Sequence, residues 1–465
     1  MVKALSNPSS YYHTSQSARA FEEAEQFIPG GVTANIKYFD PYPIFMKKGD
    51  GSKLIDLDDN EYIDYSLCYG SLITGHGNQR VQEATVKQLL DSGTVIFGTP
   101  HELEIQMAKR IHTYYPSMEK IRFANSGTEA NLLALRLATA YTGKQKIAKF
   151  EGHYHGGLNE LLYSINPDAE HAGNLDTPRA VAESSGMAEQ LNDQTIILPF
   201  NRLEATERLL RLHQDELAAI FIEPVQGGFI EADQSFMDGL RDLTRELNIL
   251  LVFDEVKTGF RIGLGGAQEH YQIKPDLTTL GKAIGGGYPI GVIGGRSDVM
   301  MLSAANGDGD VFAIGSNSRA TTSIAFHSGT YNGHPLVLAA GLETLKILEE
   351  EDMINSLNKK TRLLRDELER LYEHYQIPMK TFGLGSIFNI VLCDKKVSHY
   401  RDMWEVNIDL RKKIDHALFA EGVYIKPLNR YSLSTAHTSQ DIKQTVLAHE
   451  KAIQHLKREG IAFHS

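Results

Sequence analysis

Cysteine is nearly absent from this 465-residue chain, which has two, Cys68 and Cys393, and it has a single tryptophan. Two distant cysteines without a Cys-x-x-Cys spacing argue against a disulfide framework and a structural zinc site, and suit a reducing compartment. Long hydrophobic runs are missing as well. Apolar stretches such as Asn248–Phe253 stop far short of the roughly 20 residues that span a bilayer. Met1–Pro8 runs into polar residues without an apolar core, so no signal peptide is expected and the chain reads as soluble and cytoplasmic. Basic charge is in deficit: 47 Lys plus Arg face 59 Asp plus Glu, a formal net charge of −12. Such a surface repels nucleic-acid phosphates and anionic headgroups, leaving room only for a local basic pocket.

The hydrophobic fraction of 42% and charged fraction of 23% are those of a globular protein with a large core. Its length predicts two or three domains. Short, continuous apolar strands are predicted over Lys146–Phe150, Leu217–Ile222, Ile249–Phe253, Leu277–Leu280 and Ile290–Ile293, with helices over His101–Thr113 and Thr128–Tyr141. Apolar strands separated by helices imply an α/β fold whose sheet is mostly parallel and covered on both faces. Beyond Pro335, long amphipathic helices are predicted over Leu336–Glu350 and Lys359–Tyr372, followed by a strand over Ser386–Leu392 and a β segment near Val423–Ile425. A hairpin-like alternation spans residues 51–65. The expected organisation is a large domain over residues 66–330 and a smaller α+β domain built from both chain ends, 1–65 and 331–465.

Five segments carry chemistry. Asp254 ends a buried strand, where open α/β sheets bind ligands; a loop carboxylate is its plain alternative. Lys282 leaves the next strand, before Gly285-Gly286-Gly287, where an amine could form a Schiff base; a surface lysine is the alternative. Asn125-Ser126-Gly127-Thr128-Glu129-Ala130 opens a Leu-rich helix with amides and hydroxyls suited to an anion, or simply caps it. Gly152-His153-Tyr154-His155-Gly156-Gly157 sets an aromatic ring among glycines. His327–Pro335 makes another hydroxyl-rich turn. Together they supply an amine, a carboxylate for a pyridinium, hydroxyls for phosphate and a ring to stack, which is what pyridoxal 5′-phosphate requires. His153 and His155 lack a third partner at metal spacing, so no metal site is expected and a supporting role fits them better. Glu223, just after a strand, is placed beside the site without a catalytic role.

These segments, with Ile28-Pro29-Gly30-Gly31-Val32, Phe253–Arg261, Lys274–Lys282, Gly329-Thr330 and Ala436-His437-Thr438, run in order from about residue 21 to 438. The chain resembles the class III, fold-type I pyridoxal-phosphate-dependent aminotransferases, nearest the glutamate-1-semialdehyde aminomutase branch. The resemblance implies that Lys282 bonds the cofactor and Asp254 binds its ring nitrogen, with Val256 and Tyr154 on the two ring faces. Ser126, Gly127 and Thr128 would hold the phosphate, helped by Thr330 from a second subunit, so a homodimer is implied. Two departures bear on substrate. Lys37 stands where the mutase branch has an arginine for the substrate carboxylate. Lys426–Ser434 replaces an acid-bearing segment and offers Arg430 as a carboxylate clamp. On these grounds the sequence ranks first an aminotransferase acting between an amino acid and a keto acid. The aminomutase is the alternative, and a non-catalytic pyridoxal-phosphate-binding regulator comes third.

Overall fold

The structure, a computed structural model, describes residues 13–188, 193–305 and 324–463. The N-terminal octapeptide considered above lies outside them. The chain divides into two compact units, Met1–Gln79 with Glu351–Lys396 and Glu405–Ser465, and Arg80–Glu350 with Val397–Trp404. The changes at 79/80 and 350/351 fall later than the expected 65/66 and 330/331. Pro335–Glu349 packs against the Glu102–Tyr114 helix and the Lys282–Gly285 turn, which keeps it in the larger unit.

The larger unit is built on a seven-stranded sheet. Its strands are β1 (Lys120–Ala124), β2 (Lys146–Phe150), β3 (Thr195–Leu198), β4 (Leu217–Ile222), β5 (Leu250–Asp254), β6 (Leu277–Gly281) and β7 (Gly291–Gly295). In space they run β1-β7-β6-β5-β4-β2-β3. All residues of β4, β5, β6 and β7 are buried. That is why they read as continuous apolar runs rather than alternating ones: helices cover both faces. Parallel pairing links β3, β2, β4, β5 and β6. The exception is β7, antiparallel to both β6 and β1, because a tight return from the Lys282–Gly285 turn leaves no crossover helix. β1 therefore points the same way as β6, and the C-terminal ends of six strands share one edge.

Helix α1 (Gly127–Thr142) follows β1 and buries Ala130, Asn131, Leu133, Ala134, Leu137 and Ala138 against the sheet. Gly143 ends it in the left-handed conformation (φ 71°) that glycine adopts without strain. Pro335–Glu349, expected to be amphipathic, is instead buried over most of its circumference, from Pro335 through Leu348. Packing on two sides explains the difference, since a helix enclosed by neighbours needs no polar face.

The smaller unit joins both chain ends. Met46–Asp50, Lys53–Asp56 and Glu61–Asp64 form an antiparallel meander, and Val423–Tyr424 adds in parallel, pairing Val423 with Ile63. Ile387–Val391 pairs with Lys380–Phe382 and Tyr431–Ser432. Ser439–Arg458 begins with a reciprocal cap between Thr438 and Asp441 that satisfies two orphan amides. Among the described residues no helix is long and apolar enough to cross a membrane.

Candidate active site

Five of the sequence-singled segments emerge from the shared edge of the large sheet. Ser126 follows β1, Tyr154 follows β2, Glu223 follows β4, Asp254 ends β5 and Lys282 follows β6. Residues adjacent on parallel strands share a level, and Asp254 pairs with Thr279. Lys282 thus lies three residues beyond Asp254's level on the neighbouring strand. Ligands of open α/β sheets bind at this edge, because strand ends splay and side chains there lack a packed partner layer.

Asp254 is buried, 5% exposed. Its Oδ2 accepts from Asn131 Nδ2 at 2.8 Å and pairs with His155 Nδ1 at 2.9 Å. Its Oδ1 accepts from the Val256 amide at 3.1 Å. Burial by itself would raise this carboxyl's pKa; the hydrogen bond and charge of His155, with Asn131 and Val256, outweigh it and hold the group below its ordinary value. Asn131 also donates to the His155 carbonyl (3.0 Å) and accepts from the Thr279 hydroxyl (2.9 Å), so one amide joins α1, the Tyr154 loop and two strands. The sequence reading missed Asn131 and Thr279. The available signal was an asparagine on the buried, otherwise apolar face of a helix, a position that demands partners.

Ser126 caps α1 by accepting from the Glu129 amide at 3.1 Å. At Gly127 a Cβ would stand 2.8 Å from Val256 Cγ2, so only glycine lets the helix start this close to β5. Thr128 Oγ1 accepts from the Gly157 amide at 3.4 Å, which brings the Tyr154 loop to the same helix N-terminus. The Tyr154 ring is 54% exposed while its amide donates to Glu223 Oε2 at 2.9 Å, so the backbone is anchored and the ring is available to stack. Lys282 is partly buried, with φ 47°, at the start of a turn backed by the Pro335–Glu349 helix.

Thr330 is exposed on a turn tied to its own chain, since Asn332 accepts from Asn125 Nδ2 at 2.9 Å and the Gly333 carbonyl meets His101 Nε2 at 2.7 Å. Lys37 and Arg430 both belong to the smaller unit. Lys37 is exposed and donates to Thr33 Oγ1 at 2.8 Å. Arg430 is half-buried beside Lys426, whose pKa is lowered by burial and by the charges of Lys412 and Arg430. Among the described residues no group of three His, Cys, Asp or Glu could hold a metal ion.

The donor set suits pyridoxal 5′-phosphate. It offers a buried carboxylate kept anionic, a helix N-terminus with hydroxyls, an approach only glycine permits, and a lysine just beyond the adjoining strand. This is the fold-type I class of pyridoxal-phosphate-dependent enzymes.

Comparison with known proteins agrees. The family model for class-III aminotransferases matches residues 36–446. A glutamate-1-semialdehyde 2,1-aminomutase of Persephonella marina is 40% identical over 448 residues, covering 95% of this chain and 99% of the relative. A crystal structure of an omega-transaminase from Sphaerobacter thermophilus superposes with a TM-score of 0.88 at 34% identity, covering 96% of this chain and 99% of that one. A transaminase with pyridoxal phosphate bound gives a TM-score of 0.84 at 28% identity, covering 97% and 99%. The chain belongs to the class-III aminotransferase family.

Proposed function

We propose that the protein is a glutamate-1-semialdehyde 2,1-aminomutase, moving an amino group within one small amino-acid substrate. The observation that carries the chemistry is the placement of an anionic Asp254 and of Lys282 at the ends of adjacent strands; the substrate rests on full-length relatives at about 40% identity that bear this name. The sequence reading preferred intermolecular transamination, and those relatives reverse its order. The second reading keeps specific support: Lys37 in place of an arginine, a Lys426–Ser434 segment without an acidic residue, and the likeness to the omega-transaminase.

In this reading Lys282 holds the cofactor through its amine, Asp254 accepts from the ring nitrogen, and Val256 and Tyr154 cover the ring faces. Ser126, Gly127 and Thr128 bind the phosphate, with Thr330 of a second copy. When bound, the cofactor supplies a sink for the electron pair left on the substrate carbon as its proton departs. Lys282 Nζ, once released, carries that proton, a role that needs a neutral amine. Asp254 stays charged throughout, and Asn131 and His155 keep it aimed. Lys37 and Arg430 bind substrate carboxylate. A homodimer is supported by the exposure of Thr330, Phe326 and Tyr331 on one turn, and of Val86, Leu90, Val95 and Ile105 on the larger unit.

Incubation of the purified holoenzyme with glutamate-1-semialdehyde alone is expected to yield 5-aminolevulinate without any amino acceptor. Product only when a separate donor and keto acid are present overturns the mutase in favour of the transaminase. Borohydride reduction followed by peptide mass spectrometry is expected to mark Lys282 and no other lysine. Lys282→Ala is expected to abolish turnover while still binding the cofactor noncovalently.

A further inference from the structure

Lys149 lies inside β2 and is fully buried (0% exposed), between Ala148 and Phe150 on a strand whose other inner residues are apolar. A methionine of similar length would fill that space without the cost of removing an amine from water. Its head group donates instead to two main-chain carbonyls, those of His153 at 2.7 Å and of Tyr163. Those carbonyls lie at the two sides of the loop that follows β2. The Gly152 amide donates to the Ser164 carbonyl at 2.8 Å, which closes the same loop at its neck. Within it, His153 Nδ1 accepts from the Glu223 amide (3.0 Å), Glu223 Oε2 accepts from the Tyr154 amide (2.9 Å), and His155 Nδ1 reaches Asp254 (2.9 Å).

We propose that Lys149 is a positioning residue: by drawing the His153 and Tyr163 carbonyls onto one nitrogen, it sets the loop that carries Tyr154 and His155 against Asp254. The proposal rests on the reading of Tyr154 and His155 as parts of the cofactor site. Burial pushes the amine's pKa down to about 7, against the opposing charges of Glu223 and Glu183. Either protonation state has enough N–H groups for two carbonyls, so the tether persists across neutrality.

The test uses the full chain with Lys149→Met, and with Lys149→Gln, which retains one amide donor, should the methionine variant fold poorly. Hydrogen exchange on the apoprotein is expected to quicken at least tenfold in the peptide covering 151–157, with exchange in β4 and β5 unchanged. Pyridoxal phosphate affinity, read by its absorbance on titration, is expected to fall about tenfold in Lys149→Met. In a Tyr154→Ala/His155→Ala background the same substitution is expected to cost less than about twofold, since it acts through those two side chains. Unchanged exchange in 151–157 overturns the proposal, as does a tenfold loss that repeats undiminished in the Tyr154→Ala/His155→Ala background. If the wild-type chain binds no pyridoxal phosphate, the cofactor reading fails, and the exchange result alone then decides whether Lys149 sets the loop.

Discussion

A single carboxylate shows how local chemistry is set here. Asp254 stays anionic although buried because three donors converge on it, and removing the charge is expected to leave the fold while cutting turnover about 10²–10³-fold, as for other lost electrostatic contacts. Steady-state kinetics of Asp254→Asn check this. Its depressed pKa also sets a pH window. A carboxyl held below its ordinary value, about 3.9, contributes stability that is present above that value and is lost as pH falls through the folded one. Urea titrations should therefore show a stability gap between wild type and Asp254→Asn that is present at about pH 5 and narrows below about pH 4. Asn131→Ala removes the donor to Asp254 and the acceptor for Thr279 together, and is expected to cost about 1–3 kcal/mol in the same assay. The positions of Asp254 and Lys282 were legible in the sequence because each stands at the end of an apolar run, whereas Asn131 signalled only that an amide on an apolar helix face needs partners: nothing local says which strands that face will meet.

Elements place these groups more than loops do. The apolar strands β2, β4, β5 and β6 could be read to within a residue, since fully buried strands leave a continuous hydrophobic signature. The direction of β7 could not, because strand sense depends on pairing rather than on composition. Nor could the enclosed state of Pro335–Glu349, whose neighbours are distant in sequence. That helix backs the Lys282 turn so closely that a Cβ on Gly341 would overlap the Ile284 carbonyl oxygen. In an ordinary helix, glycine to alanine gains about 1 kcal/mol. Gly341→Ala is expected to do the opposite, losing about 1–3 kcal/mol as an overpacked site does and lowering kcat by displacing Lys282. Paired urea denaturation and kinetics on that variant decide the matter; a stabilised, fully active protein would refute the packing argument.

At the scale of the whole molecule, the larger unit exposes Leu90 to 74%, along with Val86, Val95 and Ile105. Exposed apolar side chains gathered on neighbouring elements mark association surfaces. In the proposed homodimer, Leu90→Asp is expected to shift the protein towards monomer in light scattering, and to weaken pyridoxal phosphate binding if Thr330 crosses between subunits. A variant that remains dimeric would remove Leu90 from the interface. The chain by itself determined the α/β class, the fully buried strands and the place of Asp254 and Lys282 at strand ends, because periodicity and strand-end polarity are local properties of a sequence; β1, broken by Lys120 and Arg122, and the four-residue β3 were not read from it. Tertiary structure alone decided which strands are neighbours, that Asn131 and His155 hold Asp254, and that a lysine inside a strand reaches two carbonyls. Those facts depend on contacts between residues far apart along the chain, and such contacts form only when the sheet assembles.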